Sequence, residues 1–221
     1  MSISIRHASN PTAEIREAAK VLHEAFKLLS ALKQISTSVL RIRPRRRPTL
    51  VEPFLLAHVR AAIIGGQLCI AQLDNAQIVG VAMWFGPGQK FLSSEEQRNA
   101  GWNQTMEILD EAFQRWWDNM RPHPDSFGKN STDRVNSWQR TTCKRLVFCR
   151  TIAERIRAAL ISAVEDKAKL TSSDIFLRLI DILHIPIYKK LGFEVLGPEV
   201  VKTLKGQANA YCFRKKTAMG A

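Results

Sequence analysis

Two apolar runs separated by one polar turn constrain this chain more than any other feature. Leu68-Cys69-Ile70-Ala71-Gln72-Leu73 and Ile78-Val79-Gly80-Val81-Ala82-Met83-Trp84-Phe85 flank the turn pair Asp74-Asn75. Both runs are too short for a buried helix and are bounded by turn residues, so together they predict a β-hairpin. Neither alternates apolar with polar residues, which places both strands inside a sheet covered on its two faces. Gly86-Pro87-Gly88 ends the hairpin. A sheet of this kind needs helices on both sides, and the rest of the chain must supply them.

It does so in order. Ile3 and Ile5 open a short strand, after which Ile15, Ala18, Ala19, Leu22, Ala25 and Phe26 recur at helical spacing, predicting an amphipathic helix over residues 12–28. A second helix is expected at 51–64, with Phe54, Leu55, Val59 and Ile63 on one face and Gly65-Gly66 as its stop. Residues 94–120 space Trp102, Met106, Leu109, Phe113, Trp116 and Trp117 as a buried helical stripe, either core or a wall over a pocket; residues 122–136 read as a polar loop. A strand is expected from 138 to 148, interrupted by Arg140, Lys144 and Arg145. A helix over 152–170 follows, then a strand at 175–180 and a short helix at 185–191 stopped by Gly192. Residues 193–195 and 211–213 suggest a closing antiparallel pair. With no repeat and no linker, the 221 residues predict a single α/β domain, a mixed sheet with helices on both faces and a helical insert at about 89–136.

Composition narrows the function classes. With 45% hydrophobic and 24% charged residues the chain reads as globular, and no apolar run approaches the ~20 residues of a membrane-spanning helix. The amino terminus lacks the apolar centre of a signal peptide, so a cytoplasmic or nucleocytoplasmic location is expected. Cys69, Cys143, Cys149 and Cys212 have no metal-ligand spacing and read as reduced thiols, with no metal expected. The net charge of +13 points to an anionic partner, nucleic acid or a phosphate-rich cofactor. That charge is concentrated in Arg41, Arg43, Arg45, Arg46 and Arg47, and in Arg140, Lys144, Arg145, Arg150, Arg155 and Arg157. Removing these eleven basic residues and Glu154 from totals of 33 and 20 leaves a balance of only +3. No recognisable nucleic-acid motif accompanies either block, which makes a nucleic-acid partner unlikely against the alternatives.

The order of elements is similar to that of the GNAT N-acetyltransferases, and three stretches carry the resemblance. Ile78-Val79-Gly80-Val81-Ala82 resembles the family's strand after the hairpin turn. Ile187-Tyr188-Lys189-Lys190-Leu191-Gly192-Phe193-Glu194 resembles its carboxy-terminal signature, and Trp84-Phe85-Gly86-Pro87-Gly88, with the Trp-rich insert ending at Trp138, looks like a fungal subgroup. The resemblance implies acetyl transfer from acetyl-CoA to an amine of a small molecule or protein. It also implies a pyrophosphate held by backbone amides at a helix amino terminus, and two central strands that splay to admit the pantetheine arm. On this basis Tyr188 matches the tyrosine that protonates the departing thiolate, the other reading being an anchor of the last helix to the core. His184 stands where relatives place a coenzyme-contacting asparagine, or is a helix-entry histidine without that role. Glu107, Asp110 and Glu111 on the insert offer no identifiable general base.

The coenzyme loop departs from the family's pattern. Its counterpart is Val147-Phe148-Cys149-Arg150-Thr151-Ile152-Ala153-Glu154-Arg155-Ile156-Arg157, with Arg155 and Arg157 at the two positions where small residues let the backbone reach phosphate. Val147, Phe148, Arg150, Arg155, Ile156 and Arg157 are the coenzyme contacts implied by the resemblance, through a cradle that the two arginines are expected to obstruct. Read one base out of frame, residues 142–155 can encode Leu-Gln-Thr-Leu-Gly-Val-Leu-Pro-Asp-Tyr-Arg-Arg-Lys, close to the family's strand and loop entry. Compensating frame changes, and a protein that keeps the fold without a working coenzyme loop, are therefore the alternative to an active enzyme.

Overall fold

In the computed structural model the hairpin lies at the heart of one sheet. The structure describes residues 2–8, 11–27, 47–109, 111, 114–115, 138–143, 150–179, 184–203 and 206–217. β2 (Gln67–Leu73) and β3 (Ile78–Phe85) pair antiparallel, and every residue of β3 is buried. β1 (Ile3–His7) adds to the outer edge of β2. On the other side of β3 come β4 (Trp138–Cys143), β5 (Ile175–Leu179), β7 (Gly206–Lys215) and β6 (Glu194–Thr203), giving the order β1-β2-β3-β4-β5-β7-β6. Every neighbouring pair is antiparallel except β4 with β5. The closing pair is much longer than the two apolar triplets suggest: β6 and β7 have ten residues each. Beyond the first of these triplets the pairing runs on through the backbone from Gly197↔Cys212 to Thr203↔Gly206, which side-chain hydrophobicity does not mark.

Helices cover both faces. α1 (Pro11–Lys27) and α2 (Arg47–Gly65) lie on one side, where Ala18, Ala19, Leu22, Leu55, Val59 and Ala62 pack with Leu68, Ile70, Val81, Met83 and Phe85. Pro11 opens α1 where a missing N–H costs nothing, and Arg6 reaches Glu14 at 2.6 Å to tie β1 to the helix. α2 starts four residues earlier than its apolar spacing predicts, since a first turn containing Pro48 needs no internal N–H partners. It does stop at Gly65, although neither Gly65 nor Gly66 has a positive φ. Close approach explains the second glycine: a Cβ on Gly66 would sit 2.4 Å from the carbonyl oxygen of Trp84.

On the opposite face α5 (Arg150–Leu170) and α6 (Ile185–Lys190) cover the second core. Ile156, Leu160, Ile161, Val164 and Ala168 of α5 meet Cys69, Ala71, Val79, Ala82 and Trp84, with Tyr188, Phe193 and Phe213 beyond. Gly192, at φ +83°, stops α6 in a conformation that side chains resist. The expected helix over 94–120 is broken. α3 (Glu95–Gln97), capped by Ser94, leads into a wide turn at Arg98–Trp102 and then α4 (Asn103–Ile108), after which Leu109 is extended. Gly101 at φ +129° makes the kink, and that turn drives Trp102 inward to complete burial. The Trp116 and Trp117 part of the stripe, the 122–136 loop and most of the 41–47 basic block lie outside the described residues, as do residues 144–149. No helix among the described residues is long and apolar enough to cross a membrane.

Candidate active site

The register of β4 decides where the sheet can admit a ligand. β4 pairs with β5 through only three positions, Trp138↔Ile175, Gln139↔Phe176 and Arg140↔Leu177. Beyond them Thr142 and Cys143 pair with Met83 and Ala82 of β3, while Arg178 and Leu179 pair with Cys212 and Tyr211 of β7. The change coincides with a bulge: the β3 register steps from Met83↔Thr142 to Trp84↔Arg140, leaving Thr141 as an additional residue in β4. A bulge bends its strand and increases the local twist, and the β4–β5 pairing ends at the residue before it. The ladder between the two parallel strands ends at their carboxyl side, and β4 there presents backbone groups that β5 does not take.

Helix α5 follows β4 in the chain and packs on β3, the strand next to it. Its first residue is Arg150, and only the first four N–H groups of a helix lack internal partners, here those of residues 150–153. With the helix dipole behind them they form an anion-attracting end. Arg155, Ile156 and Arg157 fall in the second turn, where the backbone N–H groups are used within the helix. Ile156 is fully buried in the core, Arg157 is buried at 7% exposure, and Arg155 is exposed. The loop positions inferred for Arg155 and Arg157 are therefore helical, because the helix begins two residues before the Ile152 at which its apolar spacing becomes readable. Val147 and Phe148 lie outside the described residues, and the side chain of Arg150 is not described.

The remaining candidates lie on α6. His184 immediately precedes it, buried and without a side-chain bond capping the helix. Tyr188 is 3% exposed, with its ring 5.8 Å from that of Phe193 and 5.7 Å from that of Phe213. Tyr211, the chain's other tyrosine, is half-buried and is registered with Leu179, the last residue of β5. Sequence reading passed over it because a strand tyrosine carries no local motif. Glu107 and Glu111 are exposed, and Glu111 pairs with Arg115 at 3.2 Å, so both belong to a solvated surface; Asp110 lies outside the described residues. Trp102 lies 5.6 Å from Phe54, 5.3 Å from His58 and 6.3 Å from Phe91, ring to ring, and has no exposed surface with which to line an acceptor pocket.

Against these geometries the chain can be compared with known proteins. No family model matches it, and no curated protein sequence matches it either. Solved structures do match along its whole length. A Corynebacterium glutamicum structure described as histone acetyltransferase HPA2 and related acetyltransferase superimposes with a TM-score of 0.69 at 18% identity, over 100% of this chain and 99% of that one. Arylalkylamine N-acetyltransferase 2 from Aedes aegypti gives 0.57 at 14% identity over 99% and 100%. The Salmonella typhimurium protein yncA, solved with its cofactor acetyl-CoA, gives 0.52 at 13% over 100% and 97%. The chain has the GNAT acyl-CoA N-acyltransferase fold.

A second cluster of titratable groups lies against the carboxyl-terminal turns of α5. Lys167 Nζ donates to His7 Nε2 at 2.8 Å and to Gln67 Oε1 at 2.7 Å, and His7 Nδ1 is 3.9 Å from Cys69 Sγ. Burial pushes the Cys69 thiol up to about 11, partly offset by the charge of Lys167, so it stays protonated. Burial and then the Lys167 charge hold His7 below its ordinary value of 6.5. The unfolded chain therefore binds more protons near that value, so His7 contributes stability above it that is lost as pH falls through the lower native value. His7 is exposed, which keeps the effect small. Between pH 7 and 5 the wild-type Tm is expected to fall slightly more than that of His7→Gln; equal slopes would contradict the assignment. Among the described residues no group of three or more His, Cys, Asp or Glu could hold a metal ion.

Proposed function

We propose that this protein is an acetyl-CoA-dependent N-acetyltransferase that acts on an amine of a small molecule or a protein. The observation that carries the reading is the β4–β5 ladder, which ends after three registers, with a long helix following β4 in the chain. An acyl-CoA supplies an activated thioester on a tail of amides and phosphates. The unpaired edge of β4 from Thr141 to Cys143 suits the amides, and the N–H groups of residues 150–153 suit the pyrophosphate. Arg155 adds an exposed positive charge in the second turn of the helix, and Val147, Phe148 and Arg150 are coenzyme contacts by the family resemblance alone. Ile156 seats the helix on the sheet, Arg157 is buried beside it, and His184 stands where the chain enters α6.

In the transfer, an amine nitrogen attacks the thioester carbonyl. A C–N bond forms, the C–S bond breaks, the amine loses a proton and the thiolate gains one. Tyr188 is the phenol assigned to that second proton, with Tyr211 the other candidate on the same side of the sheet. Backbone donors along β4 would meet the negative charge that develops on the carbonyl oxygen. A cytoplasmic or nucleocytoplasmic setting, where acetyl-CoA is made and used, agrees with this reading.

Calorimetry with acetyl-CoA tests it directly. Binding in the micromolar range, weakening as salt rises because phosphates are involved, is the expected result. A folded, cooperatively melting protein that gives no heat with acetyl-CoA or free CoA would reject the enzymatic reading and favour a protein that keeps only the fold.

A further inference from the structure

We infer that Gly80 is a positioning residue for the coenzyme: the dimple it leaves in the sheet sets how closely the amino-terminal half of α5 seats on β3, and with it where the helix's amino end stands. This rests on the acetyltransferase reading above. β3 carries an additional residue relative to β2, since the register steps from Ala71↔Gly80 to Gln72↔Ile78 and passes over Val79. The bulge exchanges faces, so that Ile78 joins the α1–α2 core and Val79 the α5 core. Beside it, Gly80 and Ala71 put two of the smallest residues next to each other under α5.

The helix occupies that space. A Cβ on Gly80 would lie 2.6 Å from Ile156 Cγ2, 3.2 Å from Leu160 Cδ1 and 3.2 Å from Ala71 Cβ. The first distance is far inside carbon–carbon contact, and neither partner can swing clear, because Ile156 is 0% and Leu160 2% exposed. Relief has to come from the helix as a body. Ile156 lies six residues after Arg150, so roughly 9 Å of helix separate the contact from the free amides. Hydrogen bonds from those amides to an anion work over about 2.7–3.2 Å, so a lift of a few tenths of an ångström at Ile156 is carried to the atoms that grip phosphate. Glycine inside an otherwise apolar strand is the sequence mark of such an approach.

The test is a pair of variants measured by calorimetry and steady-state kinetics. Gly80→Ala is expected to raise the Kd for acetyl-CoA about 10-fold or more, with kcat at saturating acetyl-CoA changed less than about 3-fold, by the argument that displaced donors lose binding rather than chemistry. Gly80→Ala combined with Ile156→Ala removes the overlapping Cγ2 and is expected to return the Kd to within about 3-fold of wild type, whatever its Tm. A merely structural glycine would lower Tm in Gly80→Ala and leave Kd unchanged, which would overturn the inference, as would a double variant that binds no better than the single one. Should Gly80→Ala fail to fold, the double variant carries the test: regained folding with regained binding supports the inference, and regained folding without binding overturns it. Absence of binding by the wild-type protein would instead remove the acetyltransferase reading, and this inference with it.

Discussion

Replacing Tyr188 with phenylalanine is expected to lower kcat about 100-fold or more while the protein still folds and binds acetyl-CoA. General-acid catalysis contributes about 10²–10⁴-fold, and a thiolate leaving without its proton donor forfeits that factor. The substitution keeps the ring that packs against Phe193 and Phe213 at 5.8 and 5.7 Å between centroids, so the second core loses no carbon. Loss of one hydroxyl costs about 0.5–1.5 kcal/mol at most, a few degrees of Tm in a chain of 221 residues. The diagnostic quantity is thus kcat set beside Tm. A tyrosine that only anchors α6 would give a Phe variant with unchanged kcat, and the same measurement on Tyr211→Phe then shows whether the half-buried phenol of β7 supplies the proton instead.

Trp102→Ala is expected to destabilise the fold by about 3–5 kcal/mol, the usual cost of emptying a large aromatic site, and to lower Tm by roughly 10 °C at 2–4 °C per kcal/mol. The ring has no exposed surface and joins α2 to the insert through Phe54, His58 and Phe91. His58 is itself fixed there, donating from Nδ1 to the Phe54 carbonyl at 2.7 Å. Because the ring meets only protein, KM for the amine, normalised to folded enzyme, is expected to stay within about 2-fold. A stable variant with a weakened acceptor KM would show that the insert opens to expose this ring, and would restore the pocket wall as its role.

The two outcomes bear on different parts of what could be read from residues alone. The hairpin was legible because local information suffices for it: two apolar strands and an Asp-Asn turn have one common solution. The α1 helix and the helix expected over 152–170 were legible for the same reason, through apolar residues three and four apart. The insert was not, because Gly101 sits inside a regular apolar spacing, and periodicity cannot show that a glycine has taken φ +129°. The lengths of β6 and β7 were missed because their outer residues pair through backbone groups, which leave no mark in side-chain chemistry.

For the site the division is sharper. Residue order and the Tyr188-to-Phe193 signature were enough to anticipate an acyltransferase-like fold, since a mixed sheet with helices on both faces follows from patterning that each segment carries by itself. Whether that sheet opens was a different matter. A bulge at Thr141, the end of the β4–β5 ladder after Arg140, and the seating of Ile156 over Gly80 are relations between segments far apart in the chain. Local propensity sets what each segment becomes; only packing against distant neighbours settles register, and register decides where backbone groups are left over for a ligand.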